Sequence, residues 1–144
     1  MLTFAIIPAR SGSKGVKDKN IKKLCGFSLI EWSIAACQKS NLIDEIYVST
    51  DSDTYRKHAL EKGAKVPYLR PKEISQDYST DYEFIIHALN WFNENYKEPD
   101  IIALIRPTTP IRDPLVIDQA IDTFVNNNEV TSLRSIHEMS ESAY

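Results

Sequence analysis

LTFAIIPARSGSKGVKDKN, residues 2–20, decides how the rest of the chain is read. Leu2 to Ile7 is apolar on both faces except at Thr3, the pattern of a strand covered on both sides rather than one with a wet face. The run stops at Pro8 and opens into a loop with two glycines, Gly12 and Gly15, and two hydroxyls, Ser11 and Ser13. Six cations follow between positions 10 and 23 (Arg10, Lys14, Lys17, Lys19, Lys22 and Lys23) against one acid, Asp18. That stretch carries +5 in a chain whose net charge is −3, so the remaining residues together stand at −8. Positive charge is concentrated at the end of the first strand.

Outward from this loop, short β-branched runs alternate with longer helical patterns. Ser28 with Glu31 forms a capping box that predicts a helix over 29–40. Ile46 to Ser49 reads as the second strand. A helix is expected over 53–62, closed by Gly63. Lys65 to Leu69 reads as a third, more exposed strand, and Thr80 with Glu83 opens a long helix through about Tyr96. Ile101 to Ile105 is a strongly apolar fourth strand. Asp113 and Pro114 start a helix to about Asn126, and Val130 to Ile136 reads as a fifth strand. Strands separated by helices give an α/β, Rossmann-like domain with a mostly parallel sheet and helices on both faces.

Composition bounds the function. The 144 residues make one domain with 42% hydrophobic and 26% charged residues, ordinary for a globular protein. No apolar run approaches the roughly 20 residues that span a bilayer, and no cleavable leader precedes the first strand, so no membrane partner is expected. Cys25 and Cys37 have no metal-like spacing and read as reduced thiols of a cytoplasmic protein. The negative net charge, and the lack of an aromatic cluster by the basic loop, argue against a nucleic-acid partner.

In parallel sheets ligands gather at the carboxyl ends of the strands. Four loops occupy such ends here: 8–20, 50–52, 70–80 and 106–113. The first combines glycines that permit tight turns with hydroxyls and cations, a build that suits a triphosphate. It is neither GxxxxGK[ST] nor GxGxxG. The competing reading is a solvated basic loop. His58 and His87 read as structural, and His137 as lying just past the fifth strand. Asp51 and Asp53 could form a metal pair, but Asp53 reads more simply as the start of a helix.

IIPARSGSKG followed by KDKN resembles the signature of the cytidylyltransferases that make CMP-activated nine-carbon sugar acids, the CMP-sialic acid synthetase family. IYVSTD (46–51), LRPKEIS (69–75) and LIRPTTPIRDP (104–114) resemble further blocks of that family in the same order, so the likeness covers essentially the whole chain. It implies that the anomeric hydroxyl of a sialic or related nonulosonic acid attacks the α-phosphate of CTP and that pyrophosphate leaves. By the same resemblance Arg10, Ser13, Lys14 and Lys19 contact the triphosphate, with Lys19 and Arg10 as the catalytic cations and Lys19 at the reacting phosphate. Asn20 matches a ribose and phosphate contact. Arg70 matches the reader of the cytosine edge, where a planar guanidinium can donate two bonds at once. The alternative for Arg70 is an arginine that merely ends an edge strand.

Two positions depart from the family pattern. Asp81, assigned to the nucleotide side, stands where relatives often have a small residue. Arg106, assigned to the sugar side, stands where they usually have Gln; it pairs with the sugar carboxylate, pairs with a substituent that differs from that of N-acetylneuraminate, or ties down its loop. Arg112 reads as structural. The resemblance also implies Mg²⁺ held by aspartates of a later segment, and a homodimer built by that segment. Metal ligands within this chain are therefore unknown, and the chain is expected to be truncated at its C-terminus and inactive by itself. Two alternatives stay open: the eight-carbon (Kdo) cytidylyltransferases, which usually have Pro at the position of Asn20, and a non-catalytic CTP-binding fragment.

Overall fold

Phe4, Ala5, Ile6 and Ile7 are all 0% exposed, and their alternation divides the core in two. The computed structural model describes residues 1–136. In chain order the elements are β1 (Thr3–Pro8), a hairpin of β2 (Lys23–Leu24) and β3 (Phe27–Ser28), α1 (Leu29–Gln38), β4 (Glu45–Ser49), α2 (Asp53–Glu61), α3 (Asp81–Asn95), β5 (Ile101–Leu104) and α4 (Pro114–Val125). The main sheet is parallel with order β4-β1-β5, pairing Ala5 with Ile46 on one side and Ala103 on the other. Ala5 and Ile7 meet Ile30 and Ile34 of α1, Ala59 of α2 and Ile117 of α4. Phe4 and Ile6 point the other way, onto Phe84, Ala88 and Phe92 of α3. Helices therefore cover both faces, as the sequence predicts. Among the described residues no helix is long and apolar enough to cross a membrane.

Local hydrogen bonding sets where the helices begin. The Ser28–Glu31 box is complete, with the Ser28 N–H donating to Glu31 at 2.6 Å and the Glu31 N–H to Ser28 Oγ at 3.2 Å. Thr80 and Glu83 form the second box. The Asp113 side chain accepts from the Leu115 N–H at 2.9 Å, with Pro114 in the first turn.

The first box also ties α2 to α1, because Lys62 sits 2.7 Å from Glu31 and His58 Nε2 lies 2.8 Å from Ser28 Oγ. Burial pushes the Glu31 carboxyl up, but the Lys62 ammonium and the Ser28 donors outweigh it and hold it at about 2. Its folded value lies below its ordinary 4.5, so the stability it contributes is complete above that value and is lost as pH falls toward 2. Glu31→Gln should therefore melt below the parent at pH 7, and the gap should close between pH 4.5 and 2 in calorimetric scans. A gap of undiminished size at pH 2 would show that the ionised carboxylate is not its source.

Two expected strands are absent. Lys65 makes a single parallel bridge with Tyr47, its N–H donating to Ile46 O and its carbonyl accepting from the Val48 N–H. Pro67 then has no N–H to continue the ladder, and contact resumes only where the Arg70 N–H donates to Thr50 O at 2.7 Å. Val130 to Ile136 also forms no strand, and every one of its residues is exposed. Its β-branched composition has no neighbouring strand to pair with among the described residues. His137 lies outside them.

Candidate functional site

The cations of the first loop are set by contacts far along the chain. The carboxylate of Asp51, just past β4, accepts from the Ser11 N–H at 2.6 Å and from the Ser11 hydroxyl at 2.7 Å. Both its oxygens are engaged in holding the loop base, which argues against the metal-pair reading. Gly12 turns the loop at φ 73°, in the left-handed region open to glycine. Asn20 is buried and donates through Nδ2 to the Arg10 carbonyl at 3.1 Å, closing the loop on itself. Asp18, also left-handed at φ 52°, accepts from the hydroxyl of the buried Tyr55 at 3.1 Å. A segment of glycines and lysines is thus pinned at three places.

One cleft opens where the order of the sheet reverses, between the ends of β1 and β5. Arg10, Ser13, Lys19 and Asn20 line it from the first loop, Arg70 from the segment beside β4, Asp81 and Phe84 from the start of α3, and Arg106 from the loop after β5. Of the residues expected at the site, Lys14 alone is missing from this lining. It reaches instead to Asp77 at 2.6 Å, which Arg10 also contacts at 2.6 Å. Lys19 has no acid partner among the described residues.

Arg70 is far from a loose strand-end arginine. It is 5% exposed, with Nε donating to Ser49 Oγ at 3.1 Å and Nη2 to the Ser49 carbonyl at 2.6 Å. Its guanidinium lies 4.6 Å from the centre of the Phe84 ring. Burial lowers its pKa to about 10, with the nearby Asp51 charge opposing, so it remains a cation at neutral pH. Ser49 takes up the Nε–Nη2 edge of the group, which leaves the other edge, Nη1 with the second Nη2 hydrogen, for a ligand in the cleft that Arg70 lines. Sequence reasoning missed Ser49 and Phe84. The only signals were a serine at a strand terminus and an aromatic one turn into a helix whose start faces the cleft.

Arg106 and Asp81, the two departures from the family pattern, form an ion pair across the cleft. Arg112 donates to the Arg106 carbonyl at 3.5 Å, while its own Nη1 is buried and unpartnered among the described residues. The same residues offer no set of three His, Cys, Asp or Glu side chains for a metal. Asp51 and Asp77, two acids beside the loop, have both oxygens engaged by the loop's own donors. The ligands of a Mg²⁺ ion are therefore not assigned to the described residues.

A parallel sheet with helices on both faces, and a basic loop and buried arginine meeting at its switch point, defines a Rossmann-like α/β domain with a cleft lined by cationic side chains. A family model described as cytidylyltransferase matches residues 4–143, and the chain belongs to that family. It is 39% identical over 121 residues to an N-acylneuraminate cytidylyltransferase of Escherichia coli O18:K1:H7, covering 84% of this chain and 28% of that protein. It is 36% identical over 137 residues to a CMP-N,N'-diacetyllegionaminic acid synthase of Legionella pneumophila, covering 94% and 59%. The chain therefore spans between about a quarter and three-fifths of the length of these relatives. Among solved structures, a CMP:2-keto-3-deoxy-manno-octonic acid synthetase complexed with CTP superposes with a TM-score of 0.73 at 16% identity, over 88% of this chain and 48% of that one. At that identity the likeness speaks for the fold.

Proposed function

We propose that this domain binds CTP in the cleft and serves the transfer of CMP from CTP to the anomeric hydroxyl of a nine-carbon sugar acid, with release of pyrophosphate. The observation that carries the proposal is the convergence of Lys19, Arg10 and Ser13 with the buried Arg70 and with Arg106 in one cleft. The relatives named for N-acylneuraminate and diacetyllegionaminic acid support the acceptor class.

Each residue has a defined task in this reading. Arg70, held by Ser49, presents a donor edge to the carbonyl and ring nitrogen of cytosine. Asn20 and Asp81 lie toward the ribose, and Arg10, Ser13 and Lys14 toward the phosphate tail. Lys19 stabilises the charge that builds on the reacting phosphate as the oxygen–phosphorus bond to the acid forms and the bond to pyrophosphate breaks. Arg106 faces the acid, and its exchange from Asp81 to the incoming carboxylate keeps a guanidinium–carboxylate pair throughout. Calorimetry with CTP, UTP, ATP and GTP, followed by pyrophosphate release with a panel of nonulosonic acids, tests the reading. Binding of CTP no tighter than the other three nucleotides would overturn it.

Arg106→Gln should change the order of preference among those acids while altering CTP affinity by less than about fivefold, because Arg106 pairs at the half-exposed acceptor side and removing such a pair costs roughly 0–1 kcal/mol. Equal losses for every acid would mark Arg106 as a strut of its loop. The same comparison across acids of eight and nine carbons separates the Kdo-type alternative.

A further inference from the structure

Asp77 holds two of the cations assigned to the phosphate tail. Its Oδ1 lies 2.6 Å from Arg10 Nη2 and its Oδ2 lies 2.6 Å from Lys14 Nζ. The other arm of Arg10 is also engaged, Nη1 donating to the carbonyls of Ser11 and Gly12 at 3.4 Å each. A phosphate group could make the same two contacts as this carboxylate, since both offer anionic oxygens to a guanidinium and an ammonium. Asp77 sits 67 positions from Arg10, on a short turn held mainly by its own bonds: the Gln76 N–H to Ser79 Oγ at 2.9 Å, and Gln76 Nε2 to Lys72 O at 2.6 Å. Such a turn can move as a unit without breaking the core. The Asp77 side chain is 33% exposed, so water replaces its partners easily when it leaves.

We propose that Asp77 is an internal competitor for the phosphate tail: its carboxylate occupies Arg10 and Lys14 before the nucleotide binds, is displaced by the β- and γ-phosphates, and returns to hasten the departure of pyrophosphate. This rests on the reading of Arg10 and Lys14 as tail contacts. Lys19, which has no acid partner among the described residues, needs no such displacement to meet the α-phosphate. Asp77 thereby sets how strongly affinity depends on the length of the phosphate chain. A ligand that reaches only Lys19 displaces nothing, whereas one that needs Arg10 and Lys14 must first remove a carboxylate.

The test is calorimetry of the parent, Asp77→Asn and Glu73→Gln with CMP, CDP, CTP and inorganic pyrophosphate in a metal-free buffer. Glu73 is exposed on the neighbouring turn and controls for the change in net charge. Asp77→Asn should bind CTP and pyrophosphate roughly three- to tenfold more tightly, the effect of removing two half-exposed ion pairs, and leave CMP within about twofold. Glu73→Gln should leave all four unchanged. Weaker CTP binding by Asp77→Asn would overturn the inference, showing that the carboxylate positions the cations. An equal gain for CMP, or the same gain in Glu73→Gln, would overturn it too, leaving only a diffuse charge effect. Arg10→Ala and Lys14→Ala report on the underlying reading. If neither weakens CTP or pyrophosphate, the tail assignment itself fails and takes the competitor role with it.

Discussion

In a version of the protein extended to the full length of its relatives, Lys19→Ala is expected to lower acid-dependent pyrophosphate release by roughly 10²-fold, the usual loss when one preorganised charge donor to a transition state is removed. Lys19 lies in the single helical turn Lys19–Ile21 that closes the loop, lines the cleft, and has no acid partner among the described residues. It is therefore uncommitted, and in the proposed reaction it meets the phosphate on which negative charge develops. Most of the loss should fall on turnover rather than on CTP affinity, because the charge it meets grows only as the bond to pyrophosphate lengthens. Lys17→Ala, two positions earlier on the same loop and exposed, should change the rate by less than about twofold, as for surface substitutions generally. Equal losses in the two variants would mean that the loop attracts anions as a diffuse +5 patch, with no special place for Lys19.

The second large effect concerns the base. CTP should bind better than UTP by roughly 1–3 kcal/mol, since uracil presents an N3–H where cytosine presents an acceptor and two donors would face each other in a partly dry site. That is a ratio of about five- to 150-fold. Arg70→Lys keeps the charge but loses the planar fork and should collapse the ratio toward one. Ser49→Ala removes the Nε partner and leaves the Phe84 contact, so it should lower the ratio less and leave the melting temperature within a few degrees. Unequal binding of CTP and UTP that survives Arg70→Lys would assign the reading of the base to another group.

The loop residues and the helices around the cleft are legible in the sequence for one reason: their determinants are local. A capping box spans four residues, so Ser28 with Glu31 and Thr80 with Glu83 predict helix starts that the structure places within a residue. The double-sided burial of Leu2 to Ile7 is visible because an uninterrupted apolar run has no other stable place in a sheet. Strands are different, since their hydrogen bonds are to partners elsewhere in the chain. Lys65 to Leu69 and Val130 to Ile136 have strand-like composition, yet one meets a proline where the ladder needs a donor and the other meets no partner among the described residues.

The site divides along the same line. Residue type and loop position show where charge and donors gather, and the family resemblance picks out Arg10, Ser13, Lys14, Lys19, Asn20, Arg70 and Arg106, each in a loop that follows a strand or an extended segment. Which of those charges are free is a property of the folded chain alone. Arg10 and Lys14 are engaged by Asp77, Arg106 by Asp81 and one side of Arg70 by Ser49, while Lys19 has no acid partner among the described residues. Those partners lie between 21 and 67 positions away, and Coulomb attraction depends on distance in space, which a sequence does not contain.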